Sequence, residues 1–134
     1  MRGLGLLLLL VLTALAAAGC TPPATATVPV TPEQAEEIAR TAQWAPGQLA
    51  AHYAKHPEGY RSVEEYDRGA RETIRNGQPF TYRDPTTGEP RLGFYDPQTN
   101  RFTGLTRDGR RITTHFRPDR GEAYVRGLPA STYR

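Results

Sequence analysis

Residues 101–116 read RFTGLTRDGRRITTHF, two strand-like runs on either side of a turn. Asp108-Gly109 is a good hairpin turn. Arg101–Thr106 and Arg111–Phe116 are therefore expected to pair antiparallel. Going back along the chain, Asp96-Pro97-Gln98-Thr99-Asn100 is another turn and Arg91–Tyr95 another strand. Asp84–Pro90 is a loop, and Phe80–Arg83 is a further strand. Four short strands joined by short turns predict an antiparallel meander. Regular alternation puts Ile112, Thr114 and Phe116 on one face of the last strand, and Arg111, Thr113, His115 and Arg117 on the other.

Upstream, the apolar period becomes helical. Thr31-Pro32-Glu33-Gln34 combines an N-cap threonine, proline at the first helical position and a glutamine three residues on. That helix is expected to reach about Gln43, with Ala35, Ile38, Ala39 and Ala42 on one face. Ala45-Pro46-Gly47 breaks it. Gln48–His56 is a second, short helix with Leu49, His52 and Tyr53 inward, stopped by Pro57 and Gly59. Ser62-Val63-Glu64-Glu65 is a second capping box. It opens a third helix striped by Val63, Tyr66, Ala70 and Ile74 and closed at Asn76-Gly77. Helices first and strands after make an α+β domain, with two to three N-terminal helices packed on one face of a four-stranded antiparallel meander sheet.

The N-terminus belongs to export. Met1-Arg2 is charged, Leu4–Leu15 is almost wholly apolar, and Ala16-Ala17-Ala18-Gly19 leads into Cys20. The apolar run is well short of the ~20 residues that span a bilayer and has the layout of a secretory signal. Residues 16–20 look like the lipobox of bacterial lipoproteins. The resemblance implies a signal peptide of residues 1–19 cleaved before Cys20, and a membrane anchor of acyl chains such as palmitate on its sulfur. Localisation would then be the cell envelope, with Thr21 after the cysteine leaning to the outer membrane of a Gram-negative cell. The alternative is an ordinary secretory signal that leaves a free thiol. Cys20 is the single cysteine, so no intrachain disulfide framework exists. Residues 20–31 form an uncharged Pro/Thr-rich tether reaching roughly 30 Å, and residues 32–134 form one domain.

The formal charge of +3 is unevenly spread. Residues 20–72 carry 5 basic and 8 acidic side chains, and residues 73–134 carry 11 and 6. Sixteen of the 17 basic residues are arginine. A GC-rich genome explains arginine over lysine but not the asymmetry. A basic half suits a polyanion such as RNA, anionic lipid or a cell-wall polymer.

His52 and His56 lie four apart, on one helix face, with Lys55 beside His56. The plain account is packing for His52 and a favourable helix C-terminus for His56. Metal ligation fits poorly, because the glutamate of H-E-x-x-H is missing and no second ligand cluster appears. No metal or other cofactor is expected.

His52-Tyr53-Ala54-Lys55-His56 resembles the H-[FY]-x-K-H opening of a group of bacterial toxin ribonucleases. These are C-terminal domains of contact-dependent-inhibition and other polymorphic toxins, in the barnase–EndoU–colicin D–RelE fold group. Glu65-Tyr66 with Ala70 is similar to that group's second helix. Tyr95-Asp96 with Thr99-Asn100 and Phe102 is similar to its hairpin, and Asp108-Gly109, Ile112, Thr114, Phe116 and Pro118 to its last strand. Tyr124 stands where a late aromatic is often found. The match spans about residues 49–124. Pro57 replaces the usual glycine after the Lys-His pair and restricts the backbone of His56.

The resemblance implies metal-free RNA cleavage, on tRNA in some members, by attack of the ribose 2′-hydroxyl to give a 2′,3′-cyclic phosphate. It implies His56 as acid or base, Lys55 as charge stabiliser and Thr114 as hydroxyl donor, with His52 as a second proton carrier or a support. Arg111, Arg117 and Tyr124 would contact phosphate. Such a domain acts as a monomer on RNA and travels with a cognate immunity protein. The competing expectation is a non-catalytic envelope lipoprotein that binds an anionic surface or a protein partner. Mechanism requires that His56 and Thr114 meet across the helix–sheet interface.

Overall fold

A computed structural model describes residues 30–129. The signal peptide 1–19, the lipidation candidate Cys20 and the tether up to residue 29 lie outside the described residues. The element order is α1 (Pro32–Thr41), β1 (Gln43–Trp44), α2 (Gln48–Lys55), α3 (Val63–Asn76), β2 (Gln78–Arg83), β3 (Pro90–Asp96), β4 (Arg101–Thr106), β5 (Arg111–Phe116) and α4 (Glu122–Arg126). Among the described residues, no helix is long and apolar enough to cross a membrane.

The domain is α+β. Strands β2 to β5 form the expected antiparallel meander, with Phe80 opposite Gly93, Leu92 opposite Leu105 and Thr103 opposite His115. The sheet nevertheless has five strands in the order β1-β5-β4-β3-β2. Its fifth member is the two-residue β1, parallel to β5 through Gln43↔Arg111 and Trp44↔Ile112. The sheet is mixed, therefore, and not a pure four-stranded meander. Two residues carry no readable period, and their pairing is made with a segment far along the chain.

One face of the sheet holds Leu92, Phe94, Leu105 and Ile112 against Ala35, Ala39 and Ala42 of α1 and Ile74 of α3. Ile38 and Val30 pack at the margin of this core, so the packed domain begins inside the segment read as tether. Arg71 of α3 ties the two helices together. It donates to the carbonyls of Ala39 (2.7 Å) and Ala42 (3.1 Å) while paired with Asp67, meeting acceptors that a helix C-terminus leaves open. Asp67 also accepts from the Trp44 indole at 2.9 Å.

The second face is covered too, against expectation. Phe80, Tyr82, Tyr95 and Phe102 pack with Val125 of α4 and with Leu128. The five residues of α4 are too few to announce a helix by period, and the apolar pair Val125/Leu128 becomes interpretable only beside those aromatics.

The capping predictions hold in part. Thr31 and Gln34 form the full reciprocal box. Ser62 accepts from the Glu65 N–H, but the Glu65 carboxylate takes the N–H of Arg61, one residue further out than a box requires.

The main correction concerns β5. Gly104 pairs with Thr114 and Leu105 with Ile112, which leaves Thr113 without a partner. This is a β-bulge, and it breaks the two-residue alternation. Ile112 and His115, three apart, both lie under the helices, whereas Thr114 and Phe116 face the other way with Phe102 and Tyr124. The expected grouping of Ile112 with Thr114 and Phe116 is therefore wrong. His115 does lie opposite Thr114, as anticipated.

Candidate functional site

β1 stops at Trp44, opposite Ile112, so from Thr113 onward β5 carries no strand on its outer side. Helix α2 lies there, packed on α3 and along β5. It starts after Gly47, whose φ of 77° is the left-handed turn that follows Pro46. It ends at His56, whose φ of −131° and ψ of 58° lie outside the helical region that a following proline disfavours. The His56 N–H still closes on the His52 carbonyl at 2.9 Å.

A line of rings follows the rim. His52 lies 5.5 Å from Trp44 and 6.5 Å from His56, His56 lies 5.7 Å from Phe116, and Phe116 lies 5.4 Å from Tyr124. Two open cavities flank it. The first, about 250 Å³, is lined by His52, Thr113, Thr114, Tyr82 and Asp84; the second, about 280 Å³, by His56, Glu58, Arg117 and Arg120. Phe116 and Tyr124 line both, so the two cavities adjoin across these rings and together make up the groove along β5.

His56 lines the second cavity and Thr114 the first, so the two residues whose meeting the mechanism requires stand in adjoining cavities. His52, His56, Thr114, Tyr124 and Arg117 are all brought to the groove. Two candidates are not. Lys55 is exposed on the last turn of α2 and lines neither cavity. Arg111 sits at the far end of β5, paired with Gln43, and donates its N–H to Thr106.

Burial pushes the pKa of His52 down, and the positive neighbours His56 and Lys55 push it the same way. Its Nδ1 is buried without a hydrogen-bond partner. A neutral imidazole has one donor and one acceptor nitrogen, and with Nδ1 closed off only Nε2 is left to meet a substrate. His56 is half-buried, with Nδ1 3.7 Å from Oε1 of Glu58. Burial raises the Tyr124 phenol, which therefore stays a donor at neutral pH.

Glu58, Arg120, Tyr82 and Asp84 were not singled out from sequence, and Phe116 was read there as a strand residue and not as a wall of the site. Glu58 could have been suspected from Pro57-Glu58-Gly59, a turn tripeptide directly after the histidine pair. Asp84 and Tyr82 arrive from β2, remote in sequence from α2, and nothing local marks them.

His115 takes no part in the groove. It is fully buried under α3, where Nδ1 lies 2.8 Å from Oγ1 of Thr103 and 3.1 Å from the Phe102 carbonyl. Burial, followed by the charge of Arg101, pushes its pKa down to about 3. Among the described residues no group of three or more His, Cys, Asp or Glu is placed to hold a metal ion.

No protein-family model matches this chain, and a search of curated proteins finds no match.

Proposed function

We propose that the groove between α2, β5 and α4 is a metal-free phosphodiester-transfer site acting on RNA, of the polymorphic-toxin ribonuclease kind, on a domain that Cys20 anchors to the bacterial envelope by its lipid. The observation that carries this is the convergence of two imidazoles, His52 and His56, with Thr114, Tyr124 and the cations Arg117 and Arg120 around one open groove. His52, held neutral by burial, takes the proton of the ribose 2′-hydroxyl. The 2′-oxygen attacks phosphorus, the bond to the 5′-oxygen breaks, and His56 gives its proton to that departing oxygen. The product is a 2′,3′-cyclic phosphate and a free 5′-hydroxyl. Thr114 and Tyr124 donate to the non-bridging oxygens, and the arginines supply the charge that Lys55 is placed too far out to give.

The test is cleavage of total tRNA and of single-stranded RNA by protein carrying Cys20→Ser, beside His56→Ala. The substitution at 56 should lower the rate about 10²- to 10⁴-fold. Absence of cleavage, or cleavage indifferent to the substitution, removes the proposal. Cys20→Ser should also release the protein from the membrane fraction.

One observation favours a non-catalytic envelope role instead. Lys55, the cation of the toxin-like motif, lines neither cavity. On that reading the same groove, through Arg117 and Arg120, binds an anionic surface or partner protein without chemistry. Salt-sensitive co-sedimentation with peptidoglycan or anionic vesicles, in protein that leaves RNA intact, would select it.

A further inference from the structure

Pro57 to Tyr60 form a tight turn, closed by the Tyr60 N–H donating to the Pro57 carbonyl at 2.7 Å. Its two central residues have positive φ, 40° at Glu58 and 88° at Gly59. Positive φ at both positions is the mark of a type I′ turn, and the residue favoured first in it is asparagine followed by glycine. Glycine is present; asparagine is not. Glu58 has no backbone reason to occupy a left-handed position, and a strained non-glycine residue is a pointer to a task for its side chain.

The Glu58 carboxylate makes one hydrogen bond and one longer, charge-range contact. Oε2 accepts the backbone N–H of Arg117 at 2.6 Å, fastening the turn to the end of β5. Oε1 stands 3.7 Å from Nδ1 of His56. Asparagine in this turn has a shorter side chain and no charge to offer the imidazole. The Phe116 ring closes another side of His56 at 5.7 Å.

We infer that Glu58 is the positioning residue of His56: anchored on Arg117, its carboxylate keeps a hydrogen on Nδ1 in both ring states, so that Nε2 is the nitrogen that carries the transferable proton of the charged ring and stands bare once that proton has left. The orientation of one ring nitrogen by a partner on the other is a recurring device of functional histidines. What the ring then works on rests on the RNA-cleavage proposal; the tautomer does not.

The test reads the ring directly. Nitrogen chemical shifts of His56 are measured on the purified chain at a pH where the imidazole is neutral, with His56→Gln for assignment. Wild type should show the Nδ1–H form dominant. Glu58→Gln keeps an oxygen for the Arg117 N–H but removes the charge, and should shift the population to Nε2–H at an unchanged melting temperature. Glu58→Asn suits the turn better and should melt no lower than wild type with the same tautomer change. A wild-type ring already in the Nε2–H form, or one that neither substitution moves, overturns the inference. If RNA is cleaved, Glu58→Gln should lower kcat about tenfold or more with KM little changed. If no RNA is cleaved by any form, the catalytic proposal fails while the tautomer result stands on its own.

Discussion

Tyr60 and His115, 55 residues apart, join across 3.0 Å between the phenol oxygen and Nε2. The direction of that bond follows from the other nitrogen. Nδ1 faces the Phe102 carbonyl, which can only accept, so Nδ1 carries the hydrogen. Thr103 Oγ1 donates to Ala70 and is free to accept from Nδ1 as well. Nε2 is then a bare acceptor, and Tyr60 donates to it. The Tyr60 ring lies under the Arg101 guanidinium, 4.5 Å from its centroid. Tyr66 adds a hydrogen bond to the His115 carbonyl. His115 therefore clips the turn that bears Glu58 to the sheet, and it does so only when neutral.

The pH dependence follows. His115 titrates near 3 in the fold and near 6.5 when unfolded. Between those values the unfolded chain binds the extra proton, so stability is complete above about pH 6.5 and is lost as pH falls towards 3. His52, also depressed, acts in the same direction. Denaturant melts across pH 7 to 4 should show a fall approaching ~1.4 kcal/mol per pH unit from His115. His115→Gln should flatten that dependence while costing about 1–3 kcal/mol at neutral pH. An unchanged slope in this variant would show that His115 is not the group responsible.

Thr113 is the surplus residue of β5. Deleting it leaves Ile112 opposite Leu105, Thr114 opposite Gly104 and His115 opposite Thr103, the pairs already present. The deletion is expected to keep a cooperative melt and a cost within ~3 kcal/mol. Inserting a residue after Thr114 is expected to abolish folding, because it drives His115 out of the core and Phe116 into it.

Asp67 holds both Trp44 and Arg71. Asp67→Ala leaves the indole N–H and a half-buried guanidinium short of a partner and should destabilise the fold by about 2–3 kcal/mol. Trp44 is the only tryptophan, so its emission reports the loss without labelling. A red shift in the native state is expected, with midpoint and emission moving together.

The arginines separate by position. Arg117→Ala should weaken RNA binding and raise KM several-fold, whereas Arg111→Ala, at the far end of β5, should leave both constants within twofold. Thr114→Val should lower kcat roughly 10- to 10³-fold, with the melting temperature nearly unchanged. Equal effects at 111 and 117 would mean that binding follows overall charge and not the groove.

Much of this protein is written locally. The α1 cap at Thr31-Gln34, the hairpin at Asp108-Gly109, the α3 stripe of Tyr66, Ala70 and Ile74, and the four-strand order are all legible, because each signal spans a few residues and depends on backbone preference or period, although in that hairpin Gly109 alone takes a positive φ, 72°, and closes on Thr106 in a connection longer than two residues. The neighbourhood of the α2 histidines and Thr114 was legible as a motif but not as geometry.

Tertiary structure alone decided the rest. β1 exists because β5 offers it an edge, and α4 because Phe80, Tyr82 and Phe102 offer it a face. The bulge at Thr113 reverses which side chains are inside, since only the pairing with β4 can say that one residue is surplus. Glu58 meets its β5 partner across 59 positions of sequence. Such choices are made by contacts between segments that carry no information about one another until the chain has closed on itself, which is why no local pattern announces them.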